Sequence, residues 1–134
     1  MDADSTGERP LRTEADIVAC RQTVRQLVVG LKFSLVDQTK MITAASELSR
    51  NTVVHGGGGR MRWELVEDGL RRGLRLHFED DGPGIPDTGL ALTDGWTSGG
   101  GMGLGLPGSK RLVHEFALRS APGEGTCVSI LRWK

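Results

Sequence analysis

Glycine placement constrains this chain more than any other feature. Twenty of its 134 residues are glycine, and they gather at 56–59, 82–84 and 99–108. Glycine weakens the interior of an element and is favoured where the backbone reverses or must approach another group closely. The clusters therefore cut the chain into segments whose periodicity can be read one at a time.

Before the first cluster the period is helical. Ile17, Cys20, Val24, Leu27 and Leu31 recur at helical spacing, and Thr13 with Asp16 forms a capping pattern, predicting a helix over Thr13–Gly30. Met41, Ile42, Ala45, Leu48 and Thr52 share one flank of a second helix, from about Ser34 to His55, which Gly56–Gly59 end. The period then becomes two. Met61, Trp63 and Leu65, then Leu74, Leu76 and Phe78, alternate with polar residues, which predicts antiparallel strands about a turn within Glu67–Gly73. A glycine-rich stretch leads to a helix over 105–115. Strands Phe116–Ser120 and Thr126–Trp133 follow, joined by Pro122-Gly123-Glu124-Gly125. The expected fold is a two-layer α/β sandwich, with helices on one face of a mixed, mainly antiparallel sheet. A chain of this length makes one domain, expected over residues 10–134 with residues 1–9 as a mobile leader.

Composition removes several classes of function. Seventeen basic residues balance seventeen acidic ones, so neither nucleic acid nor an anionic membrane is expected as a partner. There is no membrane-length apolar run and no signal pattern in Met1–Pro10. Cys20 and Cys127 have no metal or redox spacing, and two such thiols fit a reducing cytoplasm. His77 lies in an alternating strand, and His114 ends a helix where a cation suits the dipole. Neither has a ligand-spaced companion, so a histidine metal centre is not expected.

The residues able to carry chemistry sit beside the glycine clusters. Glu47 and Asn51 are four apart on a helix and point from one face. A carboxamide oxygen suits Mg²⁺, which keeps several waters and takes its other oxygens from phosphates. A Glu one turn away can hold a water or accept the proton of a hydroxyl nucleophile. The plainer reading of the pair is an exposed polar row. Asp80 ends a strand and runs into Gly82 and Gly84, as an acceptor for an adenine amino group or as an ordinary turn. The run Gly99–Gly105 opens a helix, where freed N–H groups suit phosphate oxygens. Gly103 to Gly108 also matches G-x-G-x-x-G. That reading fails, because a long loop precedes it instead of a strand, and Glu124, the acid at about the right distance, lies in a glycine turn. No Walker A lysine is present.

In this order and spacing, Glu47–Asn51, Asp80–Gly84 and Gly101–Gly105 resemble the nucleotide-binding boxes of the GHKL superfamily, which includes gyrase, Hsp90, histidine kinases and MutL. The resemblance implies the Bergerat fold with ATP and Mg²⁺ as ligands. Asn51 would ligate Mg²⁺, Glu47 would act as base or polariser, and Asp80 would bind adenine. Gly82, Gly84, Gly101, Gly103 and Gly105 would shape a lid, and Thr126 would sit beside the adenine-binding acid through a shared water.

Four further stretches narrow the branch: Asp37-Gln38-Thr39-Lys40, Ser46–Thr52, Gly103–Leu112 and Arg132-Trp133-Lys134. From about residue 10 onward they are similar to the RsbT-type switch kinases of the bacterial stressosome, relatives of the anti-sigma kinases RsbW and SpoIIAB. That resemblance implies phosphorylation of Ser or Thr on STAS-domain antagonist and scaffold proteins, followed by release to a second partner, typically a phosphatase. His55 stands where the branch has Tyr, and either lines the phosphate end or only terminates the helix. Trp96 is read as lid packing or a partner contact, and Arg50 as a phosphate or partner contact or a solvated charge. A different class remains open, a nucleotide-gated module that sequesters a sigma factor or phosphatase with little turnover. Such a switch would need Asn51 and Asp80 but no base. The catalytic half of a histidine kinase fits less well, for want of a preceding helix pair with a phosphoacceptor His.

Overall fold

The computed structural model describes residues 5–85 and 106–134. In chain order these form β1 (Thr6–Leu11), α1 (Glu14–Gly30), α2 (Leu35–Val54), β2 (Gly59–Asp68), β3 (Arg71–Asp80), α3 (Leu106–Arg111), β4 (Glu115–Ser120) and β5 (Thr126–Trp133). The strands make one sheet in the order β1-β2-β3-β5-β4. Every pairing is antiparallel where a mixed sheet is expected from sequence.

Local signals set the helix ends. Thr13 and Asp16 form a reciprocal capping box on α1. Ser34 caps α2 by accepting from the Asp37 amide at 3.1 Å. At its other end, the His55 and Gly56 amides donate to the Asn51 carbonyl at 2.9 and 3.0 Å. The helix α3 is shorter than the 105–115 expected, ending at Arg111. The strands β2 and β3 are longer than their alternation suggests, because Gly69 takes a positive φ of 62° and reverses the chain in a tight turn.

Burial follows the two periods. Ile17, Val24, Met41 and Leu48 from the helices meet Met61, Leu74, Leu76, Phe78 and Ile130 from the sheet in one core. The opposite sheet face is mainly polar. There Arg62 pairs with Glu79 at 2.6 Å, while His77 contacts Ser129 at 2.6 Å and Glu64 at 3.1 Å. His77 is thus occupied within a strand, as its alternation predicts. Among the described residues no helix is long and apolar enough to cross a membrane.

One strand is missed by sequence reasoning. Thr6–Arg9, expected within the mobile leader, belong to β1 and pair along the edge of β2. Only Leu11 of this strand is buried, so it shows no alternation, and Pro10 is tolerated because the strand lies at an edge. Gly7 is required here, since a Cβ would fall 2.2 Å from the Trp63 ring.

Two of the distant sequence stretches meet in a strut. Arg132, only 8% exposed, donates to Asp37 Oδ1 at 2.5 Å and to the Leu112 carbonyl at 2.8 Å. It thereby ties the start of α2 to the segment after α3. The Arg132 hydrogen bond holds the Asp37 carboxyl below its ordinary value of 3.8. A lowered folded-state pKa stabilises the fold above the unfolded value, and that contribution is lost as pH falls through the folded one. Asp37→Asn is expected to cost about 1–3 kcal/mol at neutral pH, by leaving a buried guanidinium poorly paired. The difference from wild type should shrink on acidification below 3.8, as measured by urea unfolding against pH.

Candidate functional site

Register builds the site. The sheet aligns Gly59, Asp80 and Thr126 as neighbours across β2, β3 and β5, and the α2 C-terminus ends directly beside them. The link from α2 to β2 passes so close to Asp80 that a Cβ on Gly56 would lie 2.3 Å from the Asp80 carboxyl carbon. Gly82 in turn packs on Gly56, where a Cβ would meet the Gly56 carbonyl at 2.5 Å. Gly84 has φ of 78°, and a Cβ there would lie 2.0 Å from the Ala121 carbonyl. The Asp-Gly-Pro-Gly segment is therefore a fitted backbone shelf.

A cavity opens above this shelf. Leu48, Phe78, Ile85, Leu106 and Val128 make its apolar walls, and Asn51, His55, Asp80 and Thr126 supply its polar groups. A slot of this kind takes a flat heteroaromatic ring, with hydrogen-bonding groups fixing its orientation. Burial pushes the Asp80 carboxyl above its ordinary value, against the opposing hydrogen bonds from the Gly82 and Thr126 amides. Gly82 N–H donates to Asp80 Oδ1 at 2.9 Å. That leaves a half-buried acceptor in a largely apolar slot, suited to an amino group of a ligand.

The raised pKa has a consequence for stability. Above it, the ionised carboxylate is a cost to the fold, which Asp80→Asn removes while its amide oxygen can still accept from Gly82. Asp80→Asn is therefore expected to melt at or above the wild-type temperature while losing on the order of tenfold or more in ATP affinity. Calorimetry and thermal melting on one preparation check both halves.

The Glu47 and Asn51 pair is split by its position at the rim. Asn51 lines the cavity, whereas Glu47, one turn earlier, is exposed and outside the lining. Asn51 brings a neutral oxygen donor, and among the described residues no group of three His, Cys, Asp or Glu forms a metal site. A carboxamide completed by phosphate oxygens and waters fits Mg²⁺, which seldom occupies an all-protein cage.

The remaining candidates resolve individually. His55 caps α2 and lines the cavity as well, so it does more than terminate the helix. Arg50 pairs with Glu14 of α1 at 3.5 Å on the surface, an arrangement worth little energetically. His114 is not a dipole-stabilising cation. Burial lowers its pKa, and it lies beyond α3, accepting from the Trp133 amide at 2.9 Å through Nδ1. Gly101, Gly103, Gly105 and Trp96 lie outside the described residues.

Two contributors escape sequence reasoning. Gly56 reads as a helix stop, yet its lack of a side chain makes room for Asp80. Ser120 reads as a strand end, yet it holds the shelf by accepting from the Ile85 amide at 2.7 Å. No local pattern shows either, because both act across the fold.

The family described as histidine kinase-, DNA gyrase B- and HSP90-like ATPase matches residues 36–134. The serine/threonine-protein kinase RsbT of Bacillus subtilis is 46% identical over 123 residues, 92% of either chain. An anti-sigma F factor of Clostridium novyi is 28% identical over 117 residues, covering 79% of this chain and 78% of that one. Among solved structures, the RsbU and RsbW domains of a Mycobacterium tuberculosis protein align with a TM-score of 0.62 at 18% identity, over 96% of this chain and 33% of the other. The SiaB–SiaC complex from Pseudomonas aeruginosa aligns at 0.52 and 12%, over 96% of this chain and 89% of that one. These last two likenesses bear on the fold alone.

Proposed function

Since this chain belongs to the histidine kinase-, DNA gyrase B- and HSP90-like ATPase family, and within it to the RsbT serine/threonine kinases, we propose that it transfers the γ-phosphate of ATP to Ser or Thr of STAS-domain partners and then engages a second partner such as a phosphatase. The observation that carries this is the split at the rim of the cavity. Asn51 faces the nucleotide slot and Glu47 faces outward beside it. A hydroxyl brought by another protein can reach an exposed carboxylate.

In this reading Asp80 and Thr126 hold the adenine, and the apolar walls exclude water from its faces. The Asn51 carboxamide holds Mg²⁺, which when bound offsets the charge of the phosphates. Glu47 receives the proton of the partner hydroxyl as its oxygen bonds to phosphorus and the bond from phosphorus to the ADP oxygen breaks. By the family resemblance, Gly101, Gly103 and Gly105 would supply backbone N–H groups to the phosphates.

Release follows from charge. A phosphorylated partner residue carries about −1.5 to −2 charges at neutral pH, facing Glu47 and the phosphates of ADP. A STAS partner with Asp at its acceptor position is therefore expected to bind at least about tenfold more weakly than the unmodified partner in the presence of ADP. Equal affinities by interferometry would remove charge as the release signal and end the two-partner scheme.

A further inference from the structure

Hydrogen-bond accounting around Ser120 assigns a direction to the Thr126 hydroxyl. Ser120 Oγ lies 2.7 Å from the Gly125 carbonyl, 2.8 Å from Thr126 Oγ1 and 2.7 Å from the Ile85 amide nitrogen. A serine hydroxyl has one hydrogen to give. The Gly125 carbonyl can only accept, so it takes that hydrogen. The Ile85 amide can only donate, so it uses a lone pair of Ser120. In the contact between the two hydroxyls, the hydrogen must then come from Thr126.

The consequence reaches the cavity. Once its hydrogen is committed to Ser120, Thr126 presents only lone pairs to whatever meets its oxygen. Thr126 lines the slot beside Asp80, its cross-strand neighbour, and an ionised Asp80 is also acceptor-only. The Ser120 network thus leaves Thr126 and Asp80, side by side in the slot, as two acceptors. Gly125 is locked in the same arrangement, with φ of 74° and no room for a Cβ, which would fall 2.2 Å from the Asp80 carbonyl.

We propose that Ser120 is a specificity-determining positioning residue, which orients the Thr126 hydroxyl so that the site takes a purine bearing an amino group at the 6-position and rejects a 6-oxo purine. This rests on the nucleotide-binding reading of the cavity. Ser120 acts through Thr126. A 6-oxo group placed between Asp80 and Thr126 would set its own acceptor against two others. Without Ser120 the Thr126 hydroxyl regains rotation and can donate to that oxygen.

The test compares ATP with ITP, whose base carries an oxo group at the 6-position and a hydrogen on the adjacent N1, by calorimetry on the full chain. Wild type should prefer ATP. Ser120→Ala should reduce the ATP-to-ITP affinity ratio by roughly tenfold, mainly through tighter ITP binding, since an unpaired acceptor in the slot is thereby relieved. Thr126→Val should reduce the ratio too, and adding Ser120→Ala to it should change the ratio no further. Ser120→Cys, a weaker acceptor of similar shape, should fall between wild type and Ser120→Ala, and it carries the test should the alanine variant not fold.

An equal weakening of both nucleotides in Ser120→Ala would make Ser120 a loop anchor only and overturn the inference. So would a wild-type ratio in the cysteine variant, or additive effects in the double variant. Failure of the wild-type chain to bind either nucleotide would instead defeat the nucleotide reading itself.

Discussion

Glu47→Ala is expected to lower phosphate transfer to a protein partner by ~10²–10⁴-fold while leaving nucleotide affinity nearly unchanged, the span usual for loss of a general base. The separation of the two effects follows from where Glu47 sits. It is exposed and does not line the slot, so nothing that grips the nucleotide is removed. Its helix should persist, because alanine is the best helix former and the C-terminal cap of α2 is made by backbone groups and His55. Single-turnover transfer and nucleotide titration on the same variant measure the two quantities. Transfer at the wild-type rate would leave Glu47 as a surface residue and move the base elsewhere.

Asn51→Ala is expected to remove the Mg²⁺ dependence of ATP binding and most of the binding with it. The family resemblance makes Asn51 the protein's oxygen donor to the metal, and no acidic or histidine cluster among the described residues stands in for it. Losing a Lewis acid forfeits several kcal/mol of phosphate charge stabilisation, roughly a hundredfold or more in affinity. The fold should survive, since the Asn51 carbonyl that accepts from His55 and Gly56 is retained by alanine. Calorimetry with and without Mg²⁺ decides the matter. Unchanged Mg-ATP affinity would sink the assignment.

The elements were legible where the signal is local. Ser34, the apolar flank of α2 and the four glycines after it bracket that helix to within a residue. The turn Pro122-Gly123-Glu124-Gly125 marks the start of β5, which runs over Thr126–Trp133 as expected. β1 was hidden because an edge strand that buries one residue has no period to read. The length of α3 was overread, because Leu112 and Val113 continue an apolar pattern past the point where the chain bends.

At the site, residue types could be read and relations could not. Spacing places Glu47 and Asn51 on one face, yet a slot that meets α2 at its rim separates two side chains lying about 40° apart. The pairing of Asp80 with Thr126 depends on strand register, which neither segment carries by itself. Gly56 and Ser120 have meaning only through Asp80 and Thr126, their neighbours across the fold.

Incubating the chain with a STAS-domain partner, Mg²⁺ and ATP labelled in its γ-phosphate tests the central claim most directly. The account predicts stoichiometric label on a serine or threonine of the partner, dependent on Glu47 and Asn51. A partner that binds in the presence of ATP yet stays unlabelled would contradict it, and would make the chain a nucleotide-gated binding module instead.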